Sequence, residues 1–151
     1  GTLRRNFQGY TTDQADALIG LGASSIGLLP QGYVQNMPAT GEYERRVTAG
    51  GLATVRGLEL SADDRMRSWV IERLMCDFAV SRSELLTRFG EVARAVVAEA
   101  EMLAANDRDG VFARTGDGFA VTERGKPFVR SIAATFDAYL GRGTARHSIA
   151  V

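Results

Sequence analysis

Val111-Phe112-Ala113-Arg114-Thr115-Gly116-Asp117-Gly118-Phe119-Ala120-Val121 is the stretch on which the fold turns. Two short apolar and aromatic runs flank Thr115-Gly116-Asp117-Gly118, whose residues suit a tight reversal, so the stretch reads as a β-hairpin. The sequence before it reads as helix. Ser61-Ala62-Asp63-Asp64 offers a capping hydroxyl and two acids to a helix N-terminus. Met66, Trp69, Val70, Arg73, Leu74 and Phe78 follow at three- and four-residue spacing, widened by Ile71 and Met75, which predicts a helix to about Phe78. Ser81-Arg82-Ser83-Glu84 is a capping box for a short helix containing Leu85, Leu86 and Phe89 and ending at Gly90. An alanine-rich helix from about Glu91 to Ala105 carries Val92, Val96, Ala100 and Leu103 on one side. After the hairpin, Thr122 caps a long final helix whose stripe is Phe128, Ile132, Phe136, Tyr139 and Leu140, and the tail after Gly141 reads as loose. The expected class is α+β, mainly helical. Residues 51–151 form a winged-helix-like domain of three helices, a β-hairpin and a long C-terminal helix.

Residues 1–50 read differently. Arg4-Arg5-Asn6-Phe7-Gln8-Gly9-Tyr10-Thr11-Thr12 places two aromatics and two amides around one glycine, with no aliphatic side chain. Aromatic faces beside amides suit a binding site, and an edge strand with core-facing rings is the alternative. Residues 1–8 are expected to be extended, with Leu3 and Phe7 on one face. Thr11–Asp16 reads as a loop or a single helical turn capped by Thr12. The glycines of Leu18–Leu29 argue against a helix, so a short strand around 17–22 and an extended piece around 25–28 are expected. Gly20-Leu21-Gly22 is not a dinucleotide fingerprint, because Ser25 stands where the third glycine belongs. Tyr33–Asn36 reads as a turn or short helix, and Ala39–Ala49 as a helix stopped by Gly50-Gly51. The domain boundary is placed there.

Composition excludes several classes. With 18 Lys+Arg against 18 Asp+Glu, no net field draws the chain to nucleic acid or an anionic membrane. No apolar run is long enough to span a bilayer. The single cysteine, Cys76, excludes an internal disulfide and fits a reducing, cytoplasmic setting; the apolar residues around it predict an inert buried thiol. One thiolate cannot hold an iron–sulfur cluster, and the lone His147 leaves no metal site to expect.

Asn6-Phe7-Gln8-Gly9-Tyr10-Thr11-Thr12 followed by Leu18-Ile19-Gly20-Leu21-Gly22-Ala23-Ser24-Ser25-Ile26 resembles the oxygen-independent coproporphyrinogen III oxidases. The resemblance continues through Tyr33-Val34-Gln35-Asn36, Arg56-Gly57-Leu58, Leu74-Met75-Cys76-Asp77-Phe78 and Phe136-Asp137-Ala138-Tyr139-Leu140. It is to the family's C-terminal portion. It implies that residues 1–50 are the closing segments and linker of a radical S-adenosylmethionine (SAM) barrel, orphaned from the sheet they pair with. The rest of the barrel, with its cluster-binding cysteines, is then expected before Gly1.

The family converts two propionates of coproporphyrinogen III to vinyl groups, using a 4Fe-4S cluster and SAM. Neither cofactor is expected on these 151 residues alone, and no catalytic residue is expected within them. The resemblance implies that Phe7 and Gln8 lie near the active site and that Ile26 contacts SAM through its backbone; core packing is the alternative for Ile26. Arg4 and Arg5 are candidates for the substrate carboxylates, since arginine binds them bidentately, and Tyr10 is a candidate hydroxyl donor. The expected partners are the barrel of the same chain and coproporphyrinogen III, with the protein a monomer and bound to neither nucleic acid nor membrane. Two other readings stay open: a winged-helix nucleic-acid-binding module and a free-standing interaction domain. Against the first, the helix in the recognition position offers Arg94 against Glu91, Glu99 and Glu101. Against the second, Leu18–Leu29 would be exposed in a chain that began at Gly1.

Overall fold

The computed structural model describes residues 3–6 and 9–140, which divide into two compact units between Ser61 and Ala62. The boundary expected near residue 50 lies inside the first unit, because Thr54–Glu59 pairs with the strand before it.

The second unit begins with α2 (Ala62–Asp77), whose buried residues are Met66, Val70, Leu74 and Met75. Trp69 is only partly buried, meeting Phe89 edge-on with ring centroids 5.8 Å apart. Cys76 is half-buried rather than buried, because it lies one residue past Met75 and two past Leu74, off the helix's buried face. Phe78 then takes a left-handed φ of 58°, a conformation usually left to glycine, and turns the chain into β6 (Ala79–Ser81). Its N–H still reaches Leu74 O at 3.1 Å, and its carbonyl accepts from Val121 N at 2.8 Å.

Ser81 caps α3 (Arg82–Phe89), its Oγ accepting from Glu84 N at 3.0 Å. A single 3-10 turn (Gly90–Val92) separates α3 from α4 (Ala93–Asn106), so the expected start at Glu91 moves and Val92 is exposed. The buried side of α4 is Ala93, Val96, Val97 and Ala100.

The hairpin forms where expected, from β7 (Phe112–Arg114) and β8 (Gly118–Val121), with Thr115 N donating to Gly118 O at 2.8 Å. β6 adds to it, giving the order β6-β8-β7. That third strand needs a glycine in β8, because a Cβ at Gly118 would stand 2.2 Å from Val80 O. Phe112 and Phe119 stack at 5.8 Å, and Phe112 also meets Phe136 at 6.4 Å. Truncating a ring as buried as Phe136 to alanine costs roughly 3–5 kcal/mol.

The final helix is not long. Thr122 caps the turn at Gly125, a 3-10 turn follows at Lys126–Phe128 around Pro127, and α5 covers only Val129–Ala134. Beyond it the chain closes tighter turns, with Phe136 N on Ala133 O and Asp137 N on Ala134 O. The helical spacing therefore breaks at both ends. Ile132 and Phe136 are buried, while Phe128, Tyr139 and Leu140 are exposed. The tail after Gly141 and His147 lie outside the described residues.

The first unit holds a two-stranded ladder, β1 (Arg4–Asn6) with β2 (Gly9–Thr11), and a three-stranded sheet in the order β3-β4-β5. The sheet is β3 (Ile26–Leu29), β4 (Gly32–Asn36) and β5 (Thr54–Glu59), with α1 (Thr40–Thr48) between β4 and β5. Three expectations are corrected. Tyr33–Asn36 is a strand rather than a turn, because β3 and β5 pair with it on both sides. The expected strand around 17–22 is one bridge, Leu18 to Leu28, since Gly20 and Gly22 bend the chain away. Thr12 caps no helical turn; Thr11 Oγ1 accepts from Asp13 N and Asp13 Oδ1 from Ala15 N, closing successive polar turns. The unit thus carries a sheet of its own, although Ala53 is its one buried hydrophobic residue among those described.

Candidate functional site

Cross-strand partners project from the same face of a ladder, and successive residues from opposite faces. Arg5 pairs with Tyr10 and Arg4 with Thr11, so Arg5 and Tyr10 share one face and Arg4 takes the other. Arg5 and Tyr10 are both exposed. The Arg4 guanidinium lies 4.0 Å from Asp16 Oδ1, an ion pair open to water and correspondingly weak. Phe7 and Gln8 fall between Asn6 and Gly9, which pair with each other, and lie outside the described residues.

Ile26 opens β3 in the other sheet. Bonded and non-bonded pairs alternate along an antiparallel ladder. Leu28 donates to Leu18 O at 2.9 Å and accepts from Leu18 N at 2.8 Å, so its polar groups point away from β4. Ile26, two residues earlier, sends its N–H and C=O to that same side, past the end of the Leu18 bridge. Ile26 is 36% exposed and is not among the buried core residues.

The glycine-rich run folds back over this edge. A Cβ at Gly20 would meet Ser25 Cβ at 2.9 Å and the Ile26 carbonyl carbon and oxygen at 3.0 Å. A Cβ at Gly27 would stand 2.8 Å from Leu18 O. Backbone thus lies directly on backbone, which only glycine permits. Ser24 turns the loop with a φ of 64°. Four side chains bond it, Gln35 Nε2 reaching Ser24 O at 3.4 Å. Asn36 Nδ2 donates to Gly20 O at 3.0 Å and Gly22 O at 3.1 Å. The Tyr43 hydroxyl accepts from Gly22 N at 3.0 Å, and Ser25 Oγ donates to Leu21 O at 2.5 Å. Desolvation pushes the neighbouring Tyr33 phenol above its ordinary pKa, so it stays protonated.

The ladder carrying Arg4, Arg5 and Tyr10 and the sheet carrying Ile26 share no strand pairing. Sequence reasoning missed Asn36 and Tyr43. The usable signal was an asparagine, with two amide donors, ending an otherwise extended run near glycines whose carbonyls need partners.

Among the described residues no group of three or more His, Cys, Asp or Glu is placed to hold a metal ion, and Cys76 is the only thiol. The residues present do not fit an iron–sulfur cluster, which needs several thiolates. Nor is any helix of the described residues long and apolar enough to cross a membrane.

Residues 60–128 match the family model described as the HemN C-terminal domain, which begins one residue before Ser61. By sequence and fold together, the chain matches the C-terminal portion of the oxygen-independent coproporphyrinogen III oxidases. It is 48% identical over 150 residues to the oxygen-independent coproporphyrinogen III oxidase of Bradyrhizobium diazoefficiens, covering 99% of this chain and 33% of that protein. Identity to the enzyme of the same name from Paracoccus denitrificans is 46% over 151 residues, covering all of this chain and 33% of that protein. A solved structure, coproporphyrinogen III oxidase (HemN) from Escherichia coli, described as a radical SAM enzyme, superposes with a TM-score of 0.81 at 34% identity. That match covers 91% of this chain and 32% of the Escherichia coli chain. The chain therefore spans about a third of the length of the curated relatives it matches.

Proposed function

We propose that this chain is the C-terminal portion of an oxygen-independent coproporphyrinogen III oxidase, an oxidoreductase of porphyrin synthesis that works in the cytoplasm as a monomer. The observation that carries the reading is near-complete coverage of the chain by relatives of that name at up to 48% identity. In such an enzyme SAM, cleaved at a reduced 4Fe-4S cluster, supplies the radical that starts oxidative decarboxylation of two propionates. The cluster is held by residues outside this chain.

The chain's own part is to position. Ile26 carries its backbone N–H and C=O on the side of β3 away from β4, where Gly20 lies against the carbonyl, and such groups suit the polar atoms of SAM. By the family resemblance, Phe7 and Gln8 would supply a ring and an amide to the active site. Arg5 with Tyr10 is the better-placed pair for a substrate carboxylate, because Arg4 faces the opposite side, toward Asp16. The first unit leaves Ile19, Leu21, Leu52, Val55 and Leu58 exposed while burying only Ala53 among its described hydrophobic residues. That surplus of apolar surface favours a unit completed by the barrel of the same polypeptide. The second unit serves as a winged-helix-like packing module. Its charges favour that over nucleic-acid binding, since Arg94 pairs with Glu91, Arg114 with Glu101 and Arg67 with Glu99.

The test is anaerobic turnover by the intact polypeptide. Loss of two carbon dioxide molecules from coproporphyrinogen III, dependent on SAM, supports the reading. Turnover without SAM, or none by a polypeptide carrying its cluster, contradicts it.

A further inference from the structure

Resting on the reading of Ile26 above, we propose that Asn36 and Tyr43 are positioning residues for the SAM-facing backbone edge. Neither side chain reaches that edge. Asn36 ends β4 and directs both amide hydrogens at the glycine-rich run, onto Gly20 O and Gly22 O. Its Oδ1 in turn accepts from Thr54 Oγ1 at 3.5 Å, at the irregularity where the β4–β5 register shifts. Tyr43, on α1, takes the Gly22 N–H. Side chains from a strand end and from a helix therefore hold the Gly20–Gly22 end of the loop, while backbone bonds from Ser24 N to Met37 O at 3.0 Å and from Asn36 N to Ser25 O at 2.9 Å hold its other end. Gly20 is the residue that lies on the Ile26 carbonyl, so a Gly20–Gly22 segment released from the Asn36 amide would no longer define the space beside Ile26.

The chemistry limits what can substitute. The Gly20 and Gly22 carbonyls need a donor, which an aspartate at position 36 lacks and whose charge they would repel. The Gly22 N–H needs an acceptor, which a phenylalanine at position 43 lacks. Ser25 Oγ, bonded to Leu21 O, closes the loop on itself but does not anchor it to the sheet.

The test uses the intact enzyme, purified anaerobically with its cluster. SAM binding is read by equilibrium dialysis, alongside the separate KM values for SAM and coproporphyrinogen III. Asn36→Asp and Tyr43→Phe are each expected to weaken SAM binding about tenfold, with the coproporphyrinogen KM unchanged. Ile26→Pro deletes an N–H that points away from β4 and checks the underlying reading independently. Weak binding in Ile26→Pro with normal binding in Asn36→Asp and Tyr43→Phe would overturn the positioning role alone. Normal binding in all three would overturn the assignment of Ile26 as well. Should Asn36→Asp fail to fold, Tyr43→Phe decides: equal loss of affinity for both substrates would mark general loosening and overturn the proposal.

Discussion

Arg67 grips Glu99 with both terminal nitrogens, Nη1 at 2.9 Å from Oε2 and Nη2 at 2.8 Å from Oε1, and so ties α2 to α4. The same guanidinium donates Nε to Asp63 at 2.8 Å and Nη1 to the Phe136 carbonyl at 3.1 Å. One side chain thereby joins two helices and the turn after α5. Glu99, then burial working against it, then Asp63 set its basicity, and the balance is well above the ordinary arginine value.

Arg67→Met should therefore destabilise the second unit although it keeps the aliphatic stem. Glu99 is partly exposed and rehydrates, so the loss is limited to about 1–3 kcal/mol, read from urea unfolding. An unchanged midpoint would mean that these bonds only exchange for water.

Phe78 pairs strain with packing. Its left-handed φ suits glycine, but Lys126 Nζ sits 5.2 Å above its ring. Phe78→Gly and Phe78→Ala both delete the ring, and only glycine relaxes the backbone. Phe78→Gly should be the more stable of the two by about 1 kcal/mol in thermal unfolding. Equal stabilities would show that position 78 carries no backbone strain.

Asp117 gives the pH dependence a sign. Bonds from Ser81 Oγ at 2.6 Å and Ser83 Oγ at 2.7 Å hold its carboxylate below the ordinary value. A lowered folded-state pKa contributes stability that is full above the unfolded value of 3.8 and is lost as pH falls through the folded one. Acid titration of Asp117→Asn should show a shallower loss of stability below about pH 4 than the parent. Superimposable acid limbs would remove Asp117 from the account.

Hydrogen exchange should separate the two units. Amides of α2, α4 and β8 are tied into a buried core, whereas every residue of β5 is exposed. In this chain alone the first unit should exchange much faster than the second. Uniform protection would show that Ile26–Glu59 has stability of its own.

The legible parts of the fold were those specified locally. Ser81 and Glu84 announced α3, and Thr115-Gly116-Asp117-Gly118 announced the hairpin, because a cap or a tight turn is written within four residues. What depends on distant pairing was not legible. Tyr33–Asn36 becomes a strand only because Ile26–Leu29 and Thr54–Glu59 flank it, and β6 forms only because Gly118 lets it approach. The stripe through Phe128, Tyr139 and Leu140 failed because Pro127 and the turns after Ala134 break the helical period. Of the candidate residues, Arg4, Arg5 and Tyr10 could be named from the sequence, but which of them share a face required the register.

Gln8→Ala in the intact, cluster-loaded enzyme tests the central claim most directly. The substitution removes one amide. If the opening stretch orients SAM or the tetrapyrrole, product formation should fall on the order of a hundredfold, because small errors in placing a reacting carbon cost that much. Cluster content should stay the same, and stability should change by less than about 1 kcal/mol. Turnover equal to the parent's, with the same cluster content and melting temperature, would contradict the account and leave Arg4–Thr12 as structural sequence.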